Sequence, residues 1–188
     1  MREFRIINEI EKEILLNSLS ESISNNLKQL LEKDFKFYIH LDKSQEEFPS
    51  IFLVKDELSK LLTEKVVSFN TNSAGIYFGF IKRGKFYLSL EGTQFLLKFN
   101  IFSPDQKIII DRNGEKSVLY GNNILKKMVH KDPKNLFRNK FLLIFNQFNE
   151  LISIAVSQYN FIEYENLEPD SQFAINLMDK GYYLRRQK

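Results

Sequence analysis

Apolar positions in the first part of the chain change from helical spacing to strand-like runs. Over residues 3–31 the apolar side chains lie mostly three and four positions apart, which predicts helix. Residues 35–41 and 51–54 are short apolar runs that predict strands. Between these runs, the polar residues 42–49 predict a turn or loop.

A hairpin and short helices follow. Asp56 is placed to cap a predicted helix that ends at Leu62. Two apolar runs, residues 76–80 and 86–90, flank a turn at Gly84, which is the pattern of a β-hairpin. The pattern also predicts a short strand at residues 66–69 and a short helix at residues 91–97.

The second part of the chain has short strand-like runs separated by turns. Residues 111–114 predict a turn, residues 121–129 predict a turn into a helix capped by Asn122 or Asn123, and residues 130–139 form a basic loop. Strands are predicted at residues 107–110, 117–120, 140–145, 151–157, 173–178 and 183–186. Several short strands with one or two small helices indicate a compact barrel.

Composition narrows the class of protein. The 188 residues are 43% hydrophobic and include no cysteine, which excludes disulfides, thiolate catalysis and cysteine metal sites. The longest apolar run, residues 141–145, is far shorter than the roughly 20 residues that a membrane helix needs. The charged N-terminal sequence lacks the apolar stretch of a signal peptide. We therefore expect a soluble intracellular protein with no membrane contact.

Positive charge is concentrated in the second part. Residues 1–103 carry fourteen basic and fourteen acidic side chains, whereas residues 104–188 carry thirteen basic and ten acidic ones. Within residues 112–140, eight basic side chains accompany two acidic ones. Because the balance changes at the polar residues 103–106, we predict two domains, 1–103 and 104–188. Such a patch is typical of a polyanion-binding module, although a solvated lysine-rich surface fits the composition equally well.

Candidate catalytic groups are few. His40 and His130 lie ninety positions apart, and neither belongs to a metal-ligand pair. Glu163 and Glu165 would share one face of a strand and could imitate an acid–base pair, but exposed neighbouring carboxylates are far commoner. The glycines do not match a phosphate-binding loop. We expect no catalytic residue, no metal and no cofactor.

The basic residues fit nucleic-acid binding better. Lys126, Lys127, Lys131 and Lys134 follow a predicted turn, where their ammonium groups could track a phosphate backbone. The segment 181–188 combines tyrosines with arginines, and both can stack on unpaired bases. The alternative interpretation is a basic tail that keeps the chain soluble.

Three stretches of the chain resemble one family in order and spacing. They are Phe78-Gly-Phe with the run 84–96, the run 115–126 centred on Leu119-Tyr-Gly-Asn122, and Asp179-Lys-Gly-Tyr-Tyr-Leu-Arg185. These stretches are similar to the Nip-seven family of ribosome-biogenesis factors. The resemblance implies an α+β protein in which an antiparallel sheet with packed helices, the pre-PUA domain, precedes a small PUA pseudo-barrel that binds RNA.

The family also implies a function and a set of contacts. It implies a non-catalytic role in large ribosomal subunit assembly and pre-rRNA processing, with the basic surface of the PUA domain on ribosomal RNA. Together with the lysine and tyrosine patterns, it gives a predicted RNA-binding set of Lys126, Lys127, Lys131, Lys180, Tyr182, Arg185, Arg186 and Lys188.

Partners and location follow from the same resemblance. We expect a monomer whose first domain docks ribosome-assembly proteins. A eukaryotic source, slightly favoured by the middle and C-terminal motifs, would place it in the nucleolus, and an archaeal source in the cytoplasm. Two alternatives stay open: a protein-binding scaffold of the same pathway, and an RNA-modifying enzyme whose PUA domain delivers the substrate.

Overall fold

The computed structural model describes residues 2–20, 34–42, 48–64, 71 and 73–185. The chain divides into two compact units, Met1–Ile101 and Phe102–Lys188. Each unit is built around one five-stranded sheet. Across the described ranges, no helix combines the length and the apolar character that crossing a membrane requires.

The first unit is an antiparallel sheet with packed helices. Its strands, in chain order and in spatial order, are β1 (Arg2–Ile6), β2 (Phe35–Asp42), β3 (Ser50–Lys55), β4 (Ile76–Lys82) and β5 (Lys85–Leu88). Its helices are α1 (Glu9–Ser20), α2 (Asp56–Glu64) and α3 (Leu90–Leu97). The predicted hairpin and the two predicted short helices are confirmed, but Asp56 is the first residue of α2 rather than its cap, and α2 ends at Glu64 rather than Leu62.

The start of the chain is a strand, so the prediction of helix from residue 3 is wrong. Phe4 and Ile6 alternate with charged residues, and the segment pairs antiparallel with β2. The helix begins only after Asn8, whose side chain accepts a hydrogen bond from the Glu11 N–H at 2.8 Å while the Glu11 carboxylate accepts one from the Asn8 N–H. This capping box is the sequence signal for the true start of the helix. Predictions for residues 21–31, 43–47 and 66–69 lie outside the described residues.

Aromatic side chains fill both faces of the first sheet. Phe78 lies within 5.7 Å of Phe86, ring centroid to centroid, on the face where α3 packs. On the other face Tyr38 stacks on Phe4 at 5.1 Å, and its hydroxyl lies 3.0 Å from the Ser59 hydroxyl of α2. The two faces therefore bury different rings, and α2 holds its face by a polar contact as well as by packing.

The second unit is a curled sheet of short strands. Its strands are β6 (Lys107–Ile109), β7 (Ile124–Leu125), β8 (Phe141–Phe145), β9 (Leu151–Ser157) and β10 (Gln172–Asp179). The spatial order is β6-β8-β9-β10-β7, with β6 parallel to β8 and the other pairs antiparallel. Its helices are α4 (Arg112–Leu119), α5 (Phe161–Glu165) and α6 (Tyr182–Arg185), and residues 126–128 form a 3-10 turn. The predicted two-domain α+β class is confirmed.

Helix α4 replaces a predicted turn and strand. Asp111 caps it, because its carboxylate accepts a hydrogen bond from the Gly114 N–H at 2.6 Å. Gly114 has the chemistry of a turn residue, yet here it sits inside the helix because a side chain at this position would lie 2.7 Å from the Met128 β-carbon. The glycine serves close packing, and the prediction for residues 111–120 is wrong.

Three other local predictions are wrong. Residues 121–129 form β7 and the 3-10 turn rather than a helix, and residues 182–185 form one helical turn rather than a strand. Glu163 and Glu165 lie on α5, where residues two apart do not share a face. Glu163 instead completes a capping box with Asn160, whose N–H it accepts at 2.8 Å.

Candidate nucleic-acid interface

The middle and C-terminal motif stretches meet in space. The Arg185 guanidinium donates to both oxygens of Asp179, at 3.0 and 2.8 Å, and also to the Leu119 carbonyl. Asp179 is 2% exposed, so the pair has one buried partner. The hydrogen bonds with Asp179 raise the pKa of Arg185 above its usual value. Helix α6 is thereby tied to the end of α4.

Asn176 of β10 extends these contacts. Its amide nitrogen lies 3.1 Å from the Val118 carbonyl, 3.2 Å from the Asn122 carbonyl and 3.2 Å from Asp179. Its N–H donates to the Asn123 side chain at 3.0 Å. We call this set the Asp179 network: Asp179, Arg185, Asn176 and the main chain of residues 118–122.

The glycines of the two motifs are explained by the Asp179 network. Gly121 has φ +90°, and a side chain there would lie 3.0 Å from the Arg185 guanidinium. A β-carbon at Gly181 would overlap the Leu119 carbonyl oxygen and lie 2.7 Å from Arg185. Both positions therefore require glycine for the guanidinium to reach its partners.

Lys126 holds the other end of the site. Its ammonium donates to the Glu165 carbonyl at 2.8 Å and the Leu167 carbonyl at 2.9 Å, which satisfies main-chain acceptors at the end of α5. It also lies 5.2 Å from the centre of the Tyr164 ring. Burial, and then the hydrogen bond to Asp132 at 2.5 Å, raise the pKa of Tyr164, so its hydroxyl remains a donor.

Other predicted cations lie at the surface. Lys127 follows Lys126 in the 3-10 turn, is 52% exposed and forms an ion pair with Asp170, which is 77% exposed. Lys131 precedes Asp132 and is exposed, and so is Lys180 directly after β10. Tyr182, at the start of α6, is half-buried. Arg186 and Lys188 lie outside the described residues.

The structure places the predicted site residues at two ends of β10. The 3-10 turn is beside the start of this strand, since the Lys127 N–H donates to the Pro169 carbonyl at 2.8 Å. Lys180, Tyr182 and Arg185 follow its other end. The strand has eight residues, and at about 3.3 Å per residue it separates the two groups by about 25 Å. The predicted cations thus flank a strand rather than form one cluster.

Sequence reasoning missed several residues of this surface. Asp179 is known from the sequence only as the first residue of the C-terminal motif stretch, whereas in the structure it is the buried acceptor of Arg185. Asn176 carried no motif signal, and its role depends on contacts with residues more than fifty positions away. Tyr120, in the middle motif, is 78% exposed. The Tyr120-Gly121 pair within the middle motif is the sequence signal that could have indicated an aromatic residue at this surface.

Neither histidine shows a catalytic arrangement. His130 is exposed, and its main-chain N–H donates to the Ile109 carbonyl at 2.8 Å. His40 is half-buried on β2, and its Nε2 makes no hydrogen bond within the described ranges. Those ranges also hold no cluster of three or more metal-ligating side chains.

Sequence comparison gives this architecture a family. Residues 4–90 match the NIP7/UPF0113 pre-PUA domain, and residues 106–188 match the UPF0113 PUA domain. The 60S ribosome subunit biogenesis protein NIP7 of Saccharomyces cerevisiae is 30% identical over 183 residues, with 96% of each chain covered. The chain belongs to the NIP7/UPF0113 family. The predicted resemblance to the Nip-seven factors is therefore confirmed.

Two further relatives of this NIP7/UPF0113 chain come from an archaeon and a fungus. A UPF0113 protein of Archaeoglobus fulgidus is 31% identical over 131 residues, which covers 70% of this chain and 72% of the relative. The 60S ribosome subunit biogenesis protein nip7 of Schizosaccharomyces pombe is 27% identical over 177 residues, with 93% of each chain covered. These relatives span most of the present chain, so both units belong to the shared architecture.

Solved structures share the fold of this family member. A hypothetical protein of Pyrococcus horikoshii has a TM-score of 0.62 at 9% identity, with 94% of each chain covered. A conserved PUA domain protein of Thermoplasma acidophilum has a TM-score of 0.59 at 12% identity, covering 98% of this chain and 99% of that one. At these identities the likeness concerns the fold alone, and it supports the predicted pre-PUA and PUA arrangement.

Proposed function

We propose that this NIP7-family protein is a non-catalytic RNA-binding factor in large ribosomal subunit assembly and pre-rRNA processing. Its relatives in two yeasts are named 60S ribosome subunit biogenesis proteins. The observation that carries the proposal is the exposure of Lys127 and Lys131 towards one end of β10 and of Lys180 at the other end, next to the Asp179 network of the family motifs. These exposed ammonium groups, held on a folded domain, support phosphate contacts with RNA.

The residues of the predicted set have different roles: some position the surface and others contact RNA. Lys126 and Arg185 position the surface, because both bind main-chain carbonyls of this unit. Lys127, Lys131 and Lys180 neutralise phosphates and release counterions, which makes the affinity depend on salt. Tyr182 is proposed to stack on an unpaired base, and Arg186 and Lys188 to add phosphate contacts.

The same proposal covers partners and location. The first unit docks ribosome-assembly proteins, and the second unit holds ribosomal or pre-ribosomal RNA. The protein acts as a monomer, in the nucleolus of a eukaryotic cell or in the cytoplasm of an archaeon. Its relatives include both eukaryotic NIP7 proteins and an archaeal UPF0113 protein, which supports both versions.

A filter-binding titration with U-rich RNA over a range of salt tests the RNA surface. The variant is Lys127→Ala, Lys131→Ala and Lys180→Ala together. Because this variant lacks three ammonium groups that bind phosphate, the slope of log affinity against log salt should fall by about 2 in magnitude. Circular dichroism of the variant checks that the fold is retained.

The matched control is Lys36→Ala, Lys55→Ala and Lys98→Ala in the first unit. This control removes the same number of positive charges. Like the test variant, in which Lys127 pairs with Asp170, it includes one exposed lysine beside a carboxylate, since the Lys36 ammonium lies 3.9 Å from Asp56. The control should keep the wild-type slope. Equal slopes for both triple variants would overturn the surface assignment. Tighter binding to a scrambled acidic polymer than to RNA would favour the protein-scaffold alternative instead.

A further inference from the structure

A column of stacked aromatic rings lies on a half-exposed part of the first sheet. Phe80 of β4 is directly opposite Tyr87 of β5, and their rings lie 5.3 Å apart, centroid to centroid, at an interplanar angle of 12°. Phe48, just before β3, stacks on Phe80 at 5.9 Å and 26°. We call these three residues the aromatic column. Its two end rings belong to residues that are 46% exposed at Phe48 and 39% exposed at Tyr87.

Exposure separates this column from the core rings of the same sheet. Phe78 and Phe86 also stack, at 5.7 Å and 20°, but they are 0% and 6% exposed. Packing accounts for that buried pair. It does not account for Tyr87, which has Phe80 on one side and, among the described residues, no ring on the other. A planar aromatic group could continue the column at this end.

Two lysines lie on the same face as the column. Lys82 and Lys85 are directly opposite each other in the next row of the hairpin, two residues beyond Phe80 and Tyr87 on their strands. The Lys82 ammonium lies 4.6 Å from the centre of the Phe48 ring. Like charges directly opposite destabilise a strand pair. In the described part of the chain no carboxylate forms an ion pair with either lysine.

The hairpin turn fixes these groups and adds a third cation. Arg83 and Gly84 have φ values of 50° and 72°, which is the geometry of a tight two-residue turn. Arg83 and Lys85 are exposed. The hairpin therefore holds the like-charged Lys82 and Lys85 and the exposed Tyr87 ring in a fixed arrangement. An anion bound at this face would relieve the repulsion between the two ammonium groups.

We propose that this face of the first unit is a second contact for single-stranded RNA. A base stacks on Tyr87 at the end of the aromatic column, and the flanking phosphates bind Lys82 and Lys85. A single nucleic-acid strand matches both features because it carries planar bases and regular negative charge. An acidic protein segment would match only the lysines. The proposal is independent of the surface assigned to the second unit, and it leaves the rest of the first unit for protein partners.

A tryptophan at position 87 provides a local test. The chain contains no tryptophan, so Tyr87→Trp introduces a single tryptophan into the 188-residue chain, and its emission can be excited at wavelengths where tyrosine does not absorb. The probe is an oligoadenylate of about twelve nucleotides, within the range that single-strand sites cover. Base stacking should quench the emission of this residue with a saturable isotherm. An abasic ribose-phosphate oligomer of the same length should leave the emission unchanged.

Phe148→Trp is the matched control for collisional quenching. Phe148 is 85% exposed in the β8–β9 turn, where the Asn146 side chain donates to the Glu115 and Glu150 carboxylates. The two carboxylates outweigh the one ammonium at this turn, that of Lys107 on the Asn149 side chain, so the net negative charge disfavours RNA and the emission of the control should not change with oligoadenylate. Equal quenching of the two variants would overturn the stacking proposal.

The lysines are tested in the Tyr87→Trp background. Adding Lys82→Ala and Lys85→Ala should lower the salt slope of the quenching isotherm by about 1.4, as expected for two phosphates on a single strand. Adding Lys55→Ala and Lys98→Ala instead should leave it unchanged. The proposal fails if oligoadenylate causes no quenching at position 87, or if polyglutamate quenches that residue more than oligoadenylate does. The second outcome would assign the face to an acidic protein.

Discussion

Two regions of the second unit hold cations of the same basic stretch in opposite environments. Lys140, before β8, is 4% exposed, forms an ion pair with Asp105 and lies 4.9 Å from the centre of the Phe137 ring. Lys127, in the 3-10 turn, is 52% exposed and pairs with an exposed Asp170. The charge count over residues 112–140 weighs both equally. Only an exposed cation such as Lys127 can neutralise a phosphate, whereas a buried cation such as Lys140 stabilises the fold.

The same division separates Arg185 from Lys180. The Arg185 guanidinium binds Asp179 and the Leu119 carbonyl, so its contribution to a surface is indirect. Lys180 is its close neighbour in sequence, yet it is exposed. Substitutions that separate stability from RNA affinity therefore test the division directly.

The largest expected effect is at the buried pair. Among the described residues, Asp105→Ala leaves the buried Lys140 ammonium with the Asn135 carbonyl and the Phe137 ring as its polar and aromatic neighbours. Removing one partner of a buried ion pair costs about 3–5 kcal/mol, because the other charge is left uncompensated, and we expect the lower end of this range since the Asp105 side chain is 25% exposed. Urea unfolding, followed by circular dichroism, should show this loss as a lower midpoint. A loss below about 1 kcal/mol would mean that the pair behaves like a surface pair.

The next effect is at the Asp179 network. Asp179→Ala removes the acceptor of two Arg185 hydrogen bonds and one neighbour of Asn176. Hydrogen bonds to a charged group contribute about 1.5–3 kcal/mol, and Arg185 stays partly solvated, so we expect a loss within this range. Asp170→Ala is the control and should change the unfolding free energy by less than about 0.5 kcal/mol. Similar losses for the two variants would contradict the distinction between buried and exposed pairs.

The sequence predicts the strands of both sheets better than the site. Apolar runs correctly predict β2, β3, β8 and β9. A buried strand appears in the sequence as a short apolar run, so it can be recognised without knowing which strand it pairs with. Helix α4 is missed because the Asn113-Gly114 pair is typical of a turn. In the structure, Gly114 lies inside the helix because a side chain there would collide with Met128. The contact between Arg185 and Leu119 joins residues sixty-six positions apart. No local pattern encodes such a contact, so Arg185 can be predicted as important but not as a positioning residue.

Acid should weaken the buried pair in a defined direction. The hydrogen bonds from Lys140 and then Ser103 hold the pKa of Asp105 below its ordinary value, which is about 3.9 in an unfolded chain. The unfolded state therefore takes up the proton first, so this stabilisation is complete above pH of about 4 and is lost as the pH falls toward the lowered pKa. The difference in unfolding free energy between wild type and Asp105→Ala should be constant near neutral pH and shrink below that value. A difference that grows on acidification would reverse the assigned sign.

The smallest effect has the opposite direction and concerns RNA. Asp170→Asn removes the carboxylate that pairs with Lys127 and leaves the fold nearly unchanged, because both side chains are more than half exposed. If Lys127 contacts phosphate, the freed ammonium and the removal of the carboxylate's repulsion should raise the affinity for U-rich RNA about twofold to fivefold at low salt, an effect that screening removes at high salt. Asp56→Asn, which removes the carboxylate beside Lys36 and Lys60 in the first unit, is the matched control and should leave the affinity as it is. Since this gain cannot come from damage to the fold, an unchanged affinity in Asp170→Asn would remove Lys127 from the RNA surface while leaving the role of the Asp179 network intact.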